Sequence, residues 1–133
     1  MVVVALIAVA TAGAVLAMRD GASSALERDA QRLAAVLESG RAQARASDLA
    51  VVWQTLGQGF VLRGLPRPET PQTWLSTDTR VQATTPVLLG PEPLMAPQRI
   101  ELYSASQPQL RVTVATDGLR PFAVLPATRR GTP

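Results

Sequence analysis

Two adjoining stretches decide the fold: MVVVALIAVATAGAVLAM, Met1 to Met18, which carries no charge, and SALERDAQRLAAVLESGRAQAR, Ser24 to Arg45, whose apolar residues recur with a helical period. In the second stretch Leu26, Ala30, Leu33, Leu37 and Ala44 fall on one side of a helix. Arg28, Asp29, Gln31, Arg32, Glu38 and Arg41 fall elsewhere, with Asp29–Arg32 and Glu38–Arg41 at the i,i+3 spacing of helical ion pairs. One packed face and one solvated face are therefore expected. Between the stretches, Gly21 in Arg19-Asp20-Gly21-Ala22-Ser23 reads as a bend. Ser24-Ala25-Leu26-Glu27 has the order of a capping box, so a second helix is expected to start there.

The apolar stretch admits three readings. As a helix rising about 1.5 Å per residue it spans roughly 27 Å, just short of a bilayer core of about 30 Å. As a secretory signal peptide it offers Val2 to Ala10 as the apolar region and Ala12-Gly13-Ala14 as a small-residue cleavage site, without the usual basic start. As a buried helix of a globular domain it lacks the polar face such helices keep, since only Thr11 and Gly13 interrupt it. The valines Val2-Val3-Val4 favour strands in water, but in lipid a helix satisfies its own backbone, and the environment decides.

From Asp48 the period changes to that of strands. Ala50 to Thr55 and Phe60 to Arg63 read as a hairpin around Gly57-Gln58-Gly59, and Arg80 to Leu89 reads as a further strand broken by Gly90-Pro91-Glu92-Pro93. Leu65 to Asp78 holds Pro66, Pro68 and Pro71 and is expected to be a loop, with Trp74 packing over the sheet or meeting a partner. Arg99 to Tyr103 and Leu110 to Val114 alternate on either side of Ser106-Gln107-Pro108-Gln109. They make an antiparallel hairpin with Ile100, Leu102, Leu110, Val112 and Val114 toward the helix and Glu101, Arg111 and Thr113 toward solvent. Asp117-Gly118 turns the chain and Pro121 to Leu125 adds a short strand. The expected organisation is an apolar helix over 1–18, an amphipathic helix over 19–47, an antiparallel β-domain over 48–127 and a tail, 128–133, with nothing to bury. The fold class is α+β, with Leu26, Leu33 and Leu37 packing on Ile100, Leu102, Val112 and Val114.

Composition limits the chemistry. The 133 residues contain no cysteine and no histidine, which excludes disulfides, Cys or His metal sites, thiol nucleophiles and imidazole-based triads. The ten carboxylates form no calcium-loop pattern, so neither an enzyme nor a cofactor is expected. The net charge of +3 rests on thirteen scattered arginines with no lysine, and a nucleic-acid binder would concentrate them. Nucleic acid is thus not expected as a main partner.

Taken in order, these segments resemble the GspH/FimT family: the H-type minor pseudopilins of bacterial type II secretion systems and the related minor type IV pilins. Met1 to Ala10 is similar to the body of the family's signal-anchor helix, Leu33 to Ala44 to its amphipathic helix, and Ala50-Val51-Val52-Trp53 to its first strand. Ala115-Thr116-Asp117-Gly118-Leu119-Arg120-Pro121-Phe122 resembles its C-terminal Asp-Gly turn and following Pro-Phe. The family's leader, ending in Gly before Phe-Thr-Leu-x-Glu and cut and N-methylated by a prepilin peptidase, does not precede Met1, so the natural product is expected to begin upstream. Charge alone would hold the C-terminal side in the cytoplasm, and the opposite topology follows from the resemblance.

The resemblance implies a pilin-like fold, with a long N-terminal helix half-embedded in the inner membrane and the β-domain in the periplasm. Val2, Val3, Leu6, Ile7, Val9, Val15 and Leu16 would be covered first by lipid and then by neighbouring helices of a pseudopilus. The implied partners are other minor pseudopilins, the major pseudopilin and the inner-membrane assembly platform, met through loops that carry Trp74 and Met95. Two alternatives stay open: a minor type IV pilin contacting DNA through Arg129 and Arg130, and a secreted β-domain acting as a binding module after loss of a signal peptide.

Overall fold

The helix α1 runs without a break from Val2 to Ser47 in the computed structural model. The structure describes residues 2–66, 68–82, 86–92 and 95–125, with side chains from residue 21 onward. The expected bend at Gly21 and the expected helix start at Ser24 are not present. Alanine, leucine and other good helix formers flank Gly21, and one interior glycine costs only about 1 kcal/mol, less than nucleating a second helix. The helix stops at Asp48, which takes a left-handed φ of 52°, while the Leu49 N–H donates back to the Ala44 carbonyl at 3.1 Å. That six-to-one bond closes the last turn in a Schellman motif.

Eight strands follow among the described residues: β1 Val52–Leu56, β2 Gly59–Arg63, β3 Gln72–Thr73, β4 Thr79–Val81, β5 Val87–Leu88, β6 Gln98–Ser104, β7 Arg111–Thr116 and β8 Ala123–Leu125. They form not one sheet but two antiparallel four-stranded sheets, ordered β3-β2-β1-β5 and β4-β6-β7-β8. The split corrects the reading of Arg80 to Leu89 as one strand. Its first part pairs with β6 and its last part with β1, and Pro86, which has no N–H to donate, stands just before β5. The proline-rich stretch after Leu65 is mostly loop, but Gln72 and Thr73 pair with Phe60 and Gly59 at the sheet edge, where Pro71 is tolerated.

Helix and sheets share one core. Leu26, Ala30, Leu33, Leu37 and Ala44 are buried with Ile100, Leu102, Val112 and Val114 of the second sheet and with Val51, Trp53, Phe60, Val87 and Leu89 of the first sheet and its flanks. Glu101, Arg111 and Thr113 lie on the other face of the hairpin, and Leu110 is only partly buried just before β7 begins. The close approach is made at Gly40, where a Cβ would meet the side chains of Leu89 at 2.9 Å and Leu62 at 3.3 Å. Gly40 continues the stripe that Leu26, Leu33 and Leu37 begin, and its missing side chain is what admits the first sheet.

The helix is also gripped by charges that were expected to be solvated. Asp29 is fully buried and accepts hydrogen bonds from the Leu75 N–H at 2.7 Å, the Ser76 N–H at 3.1 Å and the Thr79 hydroxyl at 2.6 Å. Arg32, one turn on, donates to the Thr73 carbonyl at 2.7 Å and the Gln72 side chain at 3.0 Å, and its guanidinium lies 5.7 Å from the Phe60 ring centre. The pair thus holds the chain from β3 into β4 against the helix instead of bonding across one helical turn. Removing the carboxylate leaves the buried Thr79 hydroxyl and two part-buried amides without their acceptor. Asp29→Ala is therefore expected to cost about 2–4 kcal/mol in urea unfolding, with Asp29→Asn, which retains one carbonyl acceptor, losing less.

Candidate interaction surface

On the opposite flank of α1, Arg41 is 1% exposed and donates to the Gly118 carbonyl at 2.8 Å and the Arg120 carbonyl at 3.2 Å. Glu38 lies 3.5 Å from the same guanidinium and accepts the Phe122 N–H at 2.8 Å. The turn they grip is further fixed from within. The Thr116 hydroxyl donates to the Arg120 carbonyl at 2.6 Å and accepts from the Gly118 N–H at 3.1 Å, while Asp117 accepts the Leu119 and Arg120 N–H groups at 2.9 and 2.8 Å. Gly118 has a φ of +98°, and a Cβ there would overlap the Met95 carbonyl. Only glycine meets both conditions.

This rigid turn holds out two side chains. Leu119 is 71% exposed and the Arg120 side chain 88% exposed. Beside it opens a groove of about 350 Å³, walled by Ala50, Leu88, Pro91, Met95 and Ala96, with Glu92 on its lining. Leu88, on the outer strand of the first sheet, is 54% exposed. An exposed leucine is ordinary by itself, whereas two of them beside an apolar groove make a patch of the kind that partners cover.

The sequence-derived partner residues separate here. Trp74 is buried, its ring 4.9 Å from that of Phe60, so it covers the first sheet and offers no surface. Met95 is partly buried against the core and lines the groove. Leu26, Leu33, Leu37, Ile100, Leu102, Val112 and Val114 all lie in the core. Arg129 and Arg130 lie outside the described residues, as do the side chains of Val2, Val3, Leu6, Ile7, Val9, Val15 and Leu16. Among the residues whose side chains are described, 21 onward, no helix is long and apolar enough to cross a membrane, and no group of three or more acidic, His or Cys side chains converges as a metal site would require. Sequence reasoning missed Asp29 and Arg41. The signal available was their position beside the apolar stripe.

A second carboxylate lock joins β4 to the β6–β7 hairpin. Asp78 accepts the Ser104 hydroxyl, the Ser106 hydroxyl at 2.6 Å and the Ser106 N–H at 3.0 Å. The two hydroxyls outweigh desolvation and hold the Asp78 carboxyl below the usual carboxylate range, as the Arg120 and Leu119 amides do for Asp117. No protein-family model, no curated protein and no solved structure matches this chain.

The sign of the acid response follows. With a folded pKa below the unfolded one, the unfolded chain takes up protons first, so the stabilisation is complete above about pH 4–5 and fades as pH falls through the folded value. Urea midpoints measured from pH 7 down to about 2.5 should decline below about pH 4. Asp78→Asn should start lower at pH 7 and decline less.

Proposed function

We propose that this chain is a minor pseudopilin of a type II protein secretion system, a structural subunit and not an enzyme. It is held in the bacterial inner membrane by its apolar N-terminal helix, with its β-domain in the periplasm. On assembly the apolar residues exchange lipid for the helices of the major and other minor pseudopilins, a small net change because both surroundings are apolar. Relative to water, each large aliphatic side chain gains about 1.5–3 kcal/mol in either.

The observation that supports this reading is the continuity of α1. Its 46 residues, Val2 to Ser47, correspond to a helix of about 69 Å. The turns from Leu26 to Ala44, about 27 Å, carry the buried side chains that meet the two sheets. A helix needed only to complete the domain has no use for the remaining length. One whose uncharged half is stored in a bilayer and later packed among like helices does.

Removal of residues 2–18 in the producing bacterium tests this reading. The expected result is release of the domain from the membrane fraction and loss of type II substrate export, both restored by the full chain in trans. Unaltered export after the deletion overturns the proposal, and export retained with DNA uptake lost would assign the subunit to a type IV pilus instead.

A further inference from the structure

The knob and the groove of the β-domain complement each other, and they stand side by side. Gly118, the residue before Leu119, packs on the Met95 and Ala96 backbone, and Met95 in turn donates its N–H to the Gly118 carbonyl at 3.4 Å. One apolar projection, Leu119, therefore adjoins one apolar depression walled by Ala50, Leu88, Pro91, Met95 and Ala96. The charges match in the same order. Arg120, beside the knob, meets only a weak 3.9 Å approach from Asp117, itself solvent-exposed, and Glu92, on the groove, has no ion-pair partner among the described residues.

We propose that this face binds a second copy of the chain, with Leu119 of each copy seated in the groove of the other and Arg120 paired with the other copy's Glu92. A projection and its socket that adjoin on one surface are satisfied together by a two-fold axis passing between them, so the contact closes at a dimer. The turn suits the role because its shape is already fixed. Arg41, Thr116 and Asp117 bind its backbone, so seating Leu119 orders little beyond one side chain. The turn's internal bonds use the Arg120 carbonyl and N–H, while its side chain adds only the long approach to Asp117, so the turn is expected to survive changes to that side chain. This pairing does not depend on the secretion reading and concerns the β-domain alone.

The chain has no cysteine, which permits a clean cross-linking test on the full-length protein in detergent. Differently tagged Leu119→Cys and Leu88→Cys chains are mixed and oxidised. The expected product is a mixed disulfide dimer, formed in preference to one between Leu119→Cys and Leu56→Cys, since Leu56 is exposed at the far β1–β2 turn. Equal yields from the two pairs would mean association through the apolar helices alone and would overturn the proposal.

Charge reversal supplies the second arm, read as the dissociation constant by fluorescence anisotropy. Arg120→Glu and Glu92→Arg should each weaken pairing about two- to fivefold, and an equimolar mixture of the two variants should recover it. Leu119→Asp should weaken it about tenfold or more. Failure of the mixture to recover overturns the pairing even where export is normal, and export lost with pairing intact bears on the proposed function alone.

Discussion

The fold depends on two pairs of charges that flank one apolar stripe. At 3.6 residues per turn, Asp29 and Arg41 lie about 60° to either side of the direction in which Leu26 and Ala44 point, with Arg32 and Glu38 a further step outward. Asp29 and Arg32 bind the chain between β3 and β4, and Arg41 and Glu38 bind the turn between β7 and β8. The helix is thereby held from both sides as well as from beneath. Hydrophobic burial alone would leave it able to rotate or slide by small amounts, because apolar contact is non-directional. Charge-assisted hydrogen bonds to named backbone atoms fix the rotation and the register.

The arrangement also explains how a modest domain covers a wide helical face. Buried positions run from Leu26 through Asp29, Ala30, Leu33, Ala34, Leu37, Gly40 and Arg41 to Ala44, broader than the leucines alone would suggest. The second sheet lies along this face, and the first reaches it at Gly40, where no side chain intervenes. Backbone groups of the connecting loops then face the edges of the helix, with no ladder partner. An amide or carbonyl taken from water without a partner is costly, and the four charged side chains bond such groups, the Gly118 carbonyl in a buried bond and most of the others in part-buried ones.

Much of this was legible from residue order, for identifiable reasons. The leucine spacing from Leu26 to Leu37 marks the packed face, since its period belongs to a helix and to nothing else in that stretch. The alternation through Ile100–Leu102 and Val112–Val114 marks the longest hairpin, and the observed register pairs Leu102 with Val112 and Ile100 with Val114. The roles of Asp29 and Arg41 were not legible. An acid and a base at i,i+3 spacing suggest an ion pair, and Glu38 and Arg41 do approach to 3.5 Å, but that spacing says nothing of the main chain 46 to 79 residues away that Asp29 and Arg41 bind. Side-chain patterning carries no information on where a loop will place its amides. The division of Arg80 to Leu89 between two sheets was hidden for a related reason, because strand propensity is indifferent to which neighbour supplies the ladder. The groove likewise comes from loops distant in sequence and has no signature of its own.

An uninterrupted helix and its clamps form a mechanical unit. A bend at Gly21 would have let the two halves of α1 turn independently, and any partner seated on the first half would then say little about the position of the sheets. Helical hydrogen bonding through Gly21 removes that freedom, since opening the ladder there would sacrifice several cooperative bonds at once. At the other end the Schellman closure at Asp48 and the grips of Asp29 and Arg41 prevent the sheets from shifting along the helix. Orientation set at one end of the chain is therefore carried to the other. In the proposed pseudopilus this rigidity determines which loops each subunit shows to its neighbours once its apolar half is packed. The turn bearing Leu119 and Arg120, bonded directly to the helix through Arg41, would follow the helix most faithfully.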